Sequence, residues 1–215
     1  MDGVRDLEQD WASAVRSAGA TADADVVARA GEDLVSRWRA PERQYHDVEH
    51  LAEVLDGVDA LAPFAQDVSA VRLAAWFHDA VYDGRPGDDE QRSADLAVQV
   101  LTELGVPTQR VGGVRRLVLL TGRHDPVPGD ADGAVLCDAD LAILASEPQR
   151  YGRYVRGVRA EYAHVPEELF RAGRAAVLRA LDAAPQLYRT AAARERWEAA
   201  ARANLAAELM TLGSR

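Results

Sequence analysis

Sulfur chemistry is nearly missing from this chain. Its 215 residues include a single cysteine, Cys137, which excludes an intramolecular disulfide and a multi-cysteine zinc site. Long hydrophobic runs are missing too: no stretch reaches the roughly 18 uninterrupted apolar residues of a membrane span, so no membrane partner is expected. The opening residues, Met1-Asp2-Gly3-Val4-Arg5-Asp6, are charged and lack an apolar signal core, so a cytoplasmic location is expected. Cationic excess is absent. Against 35 acidic residues stand 25 basic ones, a net charge of −10, which disfavours binding to nucleic acid or anionic membrane through bulk charge. A small phosphorylated substrate stays open, because local arginines can override the global field. Alternating β-branched runs are scarce, and neither an internal repeat nor a long linker is present.

What remains is a chain that is 48% hydrophobic and rich in alanine, leucine and arginine. It reads as one folded, all-α domain over residues 1–215. Helices are predicted near 4–17, 24–38, 46–60, 67–83, 89–104, 109–120, 132–146, 148–163, 166–183 and 187–212. Turn signals separate them, among them Ala62-Pro63, Gly84-Arg85-Pro86-Gly87-Asp88 and Pro126-Val127-Pro128-Gly129. The helix over 4–17 is expected to be accessory, and the stretch Ala191 to Met210 a long helix packed on the rest.

Four polar clusters interrupt apolar segments. Trp76-Phe77-His78-Asp79 lies within a run apolar on almost every side, which predicts a helix buried all round. An imidazole beside a carboxylate is costly to bury unpaired, and a divalent cation suits both. On a helix the two would diverge by roughly 100° and still reach a metal above the ridge between them. His46 and His50 are four apart, which on a helix puts both on one face as two ligands, or one ligand and one substrate contact. Asp138 and Asp140 sit within Ala134-Val135-Leu136-Cys137-Asp138-Ala139-Asp140-Leu141. Two apart on a helix they diverge by about 200°, so one is expected to ligate and the other to bond an amide, an arginine or a ligating histidine. His124 follows a helix end, with Thr121 and Arg123 placed to serve a phosphate; Arg43 and Arg92 are similar candidates. Glu90 opens a helix, where a carboxylate is favourable on its own account. His164 precedes Val165-Pro166 in a turn and is expected to be structural.

The order His50, His78-Asp79, Asp140 resembles the HD superfamily of metal-dependent phosphohydrolases, named for the adjacent His-Asp pair. The nearest likeness is to a bacterial branch of HD-domain metal-dependent hydrolases. It is carried by Arg43-Gln44-Tyr45-His46-Asp47-Val48-Glu49-His50-Leu51, Ala75-Trp76-Phe77-His78-Asp79-Ala80-Val81-Tyr82-Asp83, Glu90-Gln91-Arg92-Ser93-Ala94, Thr121-Gly122-Arg123-His124 and Asp138-Ala139-Asp140-Leu141. A tail with Tyr151, Tyr154, Val158-Arg159-Ala160-Glu161-Tyr162 and Gly173-Arg174 is also similar, and the likeness covers roughly residues 35–210.

The resemblance implies a compact helical bundle around a central metal site. It implies His50, His78, Asp79 and Asp140 as ligands, with Asp138 the alternative to Asp140, and His46 and His124 lining the site. Members of the superfamily hydrolyse phosphate esters, nucleotides or pyrophosphates, so the fold does not choose the substrate. The expected cofactor is one divalent ion of the Mn, Fe, Co, Ni or Zn type, a second being possible. The expected activity is metal-dependent hydrolysis of a small phosphorylated substrate, a nucleotide or phosphate ester. In it Asp79 ligates and orients water, His124 or His46 donates a proton, Arg43 or Arg123 clamps phosphate, and Glu90 assists binding. The alternatives are a di-iron oxygenase of the same superfamily, with His46, His124 and Glu90 as spare donors, and a metal-bearing nucleotide-binding or regulatory module without turnover. Nothing in the pattern sets an oligomeric state.

Overall fold

A computed structural model of the chain describes residues 5–85 and 87–213. Ten α-helices run in order: α1 (Leu7–Ser17), α2 (Ala24–Trp38), α3 (Val48–Leu61), α4 (Val68–Phe77), α5 (Asp88–Glu103), α6 (Thr108–Thr121), α7 (Ala131–Asp140), α8 (Pro148–Glu161), α9 (Glu167–Ala183) and α10 (Ala191–Gly213). No strand occurs among the described residues, so the fold is all-α with a long C-terminal helix. Val4, where the first predicted helix begins, and Pro86 of a predicted turn lie outside the described residues.

Helix α4 is the axis of the molecule. Val71, Leu73, Ala74, Ala75, Trp76 and Phe77 are fully buried, as the apolar run requires. Around it pack α1, α3, α5, α6 and α7. Helix α1, expected as an accessory, is built into this core: Trp11 is 1% exposed and meets Trp76 edge-on at 5.3 Å between ring centres. The indole N–H groups of Trp11 and Trp38 donate to the carbonyls of Val27 (2.8 Å) and Trp76 (3.1 Å), so these rings are buried with their polar ends satisfied. Helices α8, α9 and α10 form a further layer over the α7 end of the core.

Helices α3 and α10 begin later than predicted and α4 ends earlier, each at a polar side chain that captures backbone. Helix α3 starts at Val48 because the Asp47 carboxylate caps it, accepting from the amides of Glu49 (2.9 Å) and His50 (3.2 Å). His46 therefore precedes the helix that was expected to carry it. Helix α4 stops at Phe77. The His78 ring bonds the Ala75 carbonyl at 2.8 Å, the acceptor that the residue 79 amide would need to continue the helix. Helix α10 begins at Ala191 rather than at residue 187, because the buried Asp138 carboxylate captures the amides of Arg189 (2.6 Å) and Thr190 (2.7 Å).

The outer layer meets the core most closely where α8 crosses the loop before α3. A Cβ on Gly157 would lie 2.6 Å from the Gln44 carbonyl oxygen, against backbone that cannot yield. On Gly173 of α9 a Cβ would meet nothing within 4 Å. Gly157→Ala is therefore expected to lose about 1–2 kcal/mol of stability, its gain in helix propensity outweighed by overpacking. Gly173→Ala is expected to gain about 1 kcal/mol. Urea unfolding of both variants checks the pair, and equal effects would contradict the docking described.

Candidate metal centre

Three chain segments bring four donors to one place. His50 stands in the first turn of α3, His78 caps the C-terminus of α4 with Asp79 just beyond it, and Asp140 ends α7. The Nε2 atoms of His50 and His78 are 3.2 Å apart. Asp140 Oδ1 lies 3.3 Å from His50 Nε2 and 3.5 Å from His78 Nε2. Asp79 Oδ2 lies 3.2 Å from His78 Nε2 and 3.8 Å from His50 Nε2. For bonds of roughly 2.1 Å, neighbouring ligand atoms stand about 3.0 Å apart in octahedral and about 3.4 Å apart in tetrahedral coordination. His50, His78 and Asp140 each offer one ligand atom within 4.8 Å of the others, a group that could hold a metal ion, and Asp79 adjoins it through His78. His78 and Asp79, adjacent at the end of α4, bring Nε2 and Oδ2 to 3.2 Å of each other.

The outer nitrogens fix which ring atoms face inward. His78 Nδ1 donates to the Ala75 carbonyl, which leaves Nε2 with its lone pair toward the cluster. His50 Nδ1 is 3.1 Å from the Tyr45 hydroxyl, a group that both donates and accepts, and the bond holds the ring with Nε2 toward His78. Two imidazole nitrogens and two carboxylates thus crowd one buried point, His50 and His78 being 2% and 1% exposed. Such a cluster needs a cation or protons. Burial opposes the His78 imidazolium, yet Asp79 and Asp140 overcome it and hold its pKa well above the ordinary value. Burial likewise opposes the charge on Asp79 and Asp140, and His78 holds both carboxyls well below the usual range.

Around the cluster lies a cavity of about 510 Å³. His46 lines it from the loop before α3. Its Nδ1 is 2.7 Å from Glu161 Oε2, its Nε2 is 4.0 Å from Asp79 Oδ2, and Tyr82 stacks on its ring at 4.0 Å. Glu161 also accepts the amides of Gln44, Tyr45 and His46 on its other oxygen at 2.8, 2.8 and 3.0 Å. Despite burial, His46 and these amides hold its carboxyl down to about 2. His124, in the left-handed region at φ +49°, turns its Nε2 to Asp140 Oδ2 at 2.7 Å. Arg123 lines the cavity, exposed, and its guanidinium makes no hydrogen bond or ion pair among the described residues.

Three expected roles change. Arg43, expected as a phosphate clamp, is buried, and it donates to the carbonyls of His46 (2.7 Å), Asp79 (2.8 Å) and Ala80 (3.2 Å). It ties the two site loops together and has no donor face turned to a ligand. Arg92 pairs with Asp83 at 2.5 Å. Glu90 lines the cavity, but its carboxylate accepts the Gly87 amide at the start of α5. Asp138 faces away from the cluster toward Arg189 and Thr190, so of the two aspartates it is Asp140 that reaches the histidines. His164 is exposed and stacks on Tyr162, away from the cavity. Sequence reasoning missed Glu161, Tyr45 and Tyr82 as supports. Only their presence in the quoted motifs marked them, since Glu161 meets His46 across 115 positions. No protein-family model matches the chain, and no curated protein matches it.

Protein stripped of metal must neutralise the cluster with protons, which sets a pH dependence. The His78 value is raised on folding, so its stabilisation is complete below pH 6.5 and is lost as pH rises through the raised value. The Asp79 and Asp140 values are depressed, so their stabilisation is present above pH 3.8 and is lost as pH falls. Chelator-treated protein is expected to melt highest between about pH 4 and 6.5 and to lose Tm as pH rises beyond it. Saturating manganese or cobalt is expected to remove that alkaline loss. Melting curves across pH check this, and coincident profiles with and without metal would refute it.

Proposed function

We propose that His50, His78, Asp79 and Asp140 hold one divalent metal ion and that the protein hydrolyses a phosphate ester beside it. The observation that carries this reading is the grouping of two buried histidines, 3.2 Å apart, with carboxylate oxygens of the part-buried Asp79 and Asp140 3.2–3.8 Å from them, open to a cavity that also holds an uncommitted arginine. The resemblance to the HD superfamily supports the same reading. A metal bound there would acidify a water molecule and offset charge on the phosphoryl oxygens.

The remaining chemistry belongs to side chains. Arg123 offers its planar fork to phosphoryl oxygens. His46 is the proton donor to the leaving oxygen. Its Nδ1 is committed to Glu161, which leaves Nε2 for the cavity. Glu161 and the stacked Tyr82 prevent the ring from turning away. His124 spends Nε2 on Asp140 and therefore orients that carboxylate rather than carrying a proton. As the water oxygen bonds to phosphorus and gives up one proton to solvent, the ester P–O bond breaks, the departing oxygen takes the His46 proton, and solvent returns a proton to His46.

The spare donors of the di-iron alternative are largely committed: His46 to Glu161, His124 to Asp140 and Glu90 to the Gly87 amide. That favours the single-metal hydrolytic reading.

The test begins with metal analysis of protein purified without chelator, followed by a phosphatase and nucleotidase screen with Mn, Co or Ni added. Asp79→Ala is expected to lose both bound metal and turnover. His164→Ala, outside the cavity, is expected to keep both. Glu161→Gln is expected to keep the metal and lower kcat by at least about tenfold, since it weakens only the support of the proton donor. Full metal and activity in Asp79→Ala would overturn the assignment.

A further inference from the structure

Part of the cavity lining is hydrocarbon. Ile143, Leu144, Val158, Val177 and Leu181 supply it from the turn after α7 and from α8 and α9. The polar side chains on that part are committed to one another. The Tyr154 hydroxyl accepts from Arg174 Nη1 at 2.8 Å, and Arg174 pairs with Glu208 at 2.8 Å. The Thr121 hydroxyl donates to the Val118 carbonyl at 2.8 Å. A nucleoside needs partners for its hydroxyls and base edges, and a polar group sealed off without one is penalised. This part of the lining provides little for it.

The apolar surface does not stop at the cavity. A second cavity, of about 350 Å³, adjoins the first and shares Val158, Tyr162, Arg174 and Val177 with it. It runs between α8 and α9 toward Phe170 and Leu169, and apart from the committed Arg174 its lining is apolar or aromatic. Val177 and Leu169 are 53% and 66% exposed and continue this apolar lining to the surface. Gly173 sits in this groove, in mid-helix, where a side chain would project into open space. Glycine weakens the interior of a helix, and here its missing side chain leaves the groove clear.

We infer that the substrate is a phosphate ester of an elongated apolar alcohol, its phosphate at the His/Asp cluster and Arg123 and its hydrocarbon chain lying along the α8–α9 groove past Gly173. This rests on the proposed function and narrows it: hydrolysis would release inorganic phosphate and a long-chain alcohol. The two apolar spaces in series suit a linear chain better than a compact head group.

Calorimetric binding of methyl-, butyl-, octyl- and dodecylphosphonate, with adenosine monophosphate for comparison, to the full-length manganese-loaded protein tests this without turnover. Affinity is expected to rise about two- to fourfold per added methylene between butyl and octyl, and dodecylphosphonate is expected to bind tighter than the nucleotide. Gly173→Leu, at an exposed helical position that accepts a side chain, is expected to weaken dodecylphosphonate at least about tenfold while leaving methylphosphonate unchanged. Affinity independent of chain length, tighter binding of the nucleotide, or an undiminished dodecylphosphonate affinity in Gly173→Leu would each overturn the inference while leaving the phosphohydrolase reading standing. No binding of any phosphonate would overturn both.

Discussion

Two imidazole nitrogens 3.2 Å apart, with carboxylate oxygens 3.2–3.8 Å away, do not share a buried point unless positive charge lies among them. That requirement organises much of the molecule. It explains why α4, apolar on every side, gives up its helical hydrogen bonding after Phe77, and why α7 ends at Asp140. It also explains why the loops that leave those ends are fastened so heavily. Arg43 joins three carbonyls of two loops, and Glu161 gathers three amides and a histidine. The outer helices thereby act as a frame for the donors as well as a cover for the core.

All 25 basic residues of the chain are arginine. A lysine ammonium is a compact point charge, whereas the guanidinium presents a rigid fork of donors. The structure uses that fork as an internal fastener. Arg43 spans carbonyls from the loops before α3 and after α4, and Arg174 links Glu208 of α10 to Tyr154 of α8. The exposed pairs, such as Arg37 with Asp33, contribute little by comparison, since solvent screens them and holding both side chains costs entropy.

Most of the fold was legible, because helix periodicity, alanine and leucine content and Pro/Gly punctuation are local properties. The cluster was legible in part: His78 and Asp79 are polar residues inside an apolar segment, which local sequence displays directly, whereas the preference for His50 over His46 and for Asp140 over Asp138 came from the family resemblance. What escaped was long-range. Nothing near Glu161 says that it will meet Gln44, Tyr45 and His46, and nothing near Arg43 says that its charge will be consumed by carbonyls instead of a ligand. Asp138 and Asp140 looked equivalent because both sit in one apolar run. Two backbone amides at residues 189 and 190 separate them, and that contact spans some fifty positions.

The clamps at Glu161 and Asp138 grip backbone amides, and an amide is supplied by every residue except proline. Constraint therefore falls unevenly on the two sides of each contact. The carboxylate must be kept, while the gripped positions stay free to diverge in side-chain identity unless another duty holds them, as it does for His46. Gln44 and Arg189 are such permissive positions, each anchored through its main chain alone in these contacts. A lineage can change the side chains at those two positions, and with them the local surface charge, without disturbing the backbone contacts that support the cluster.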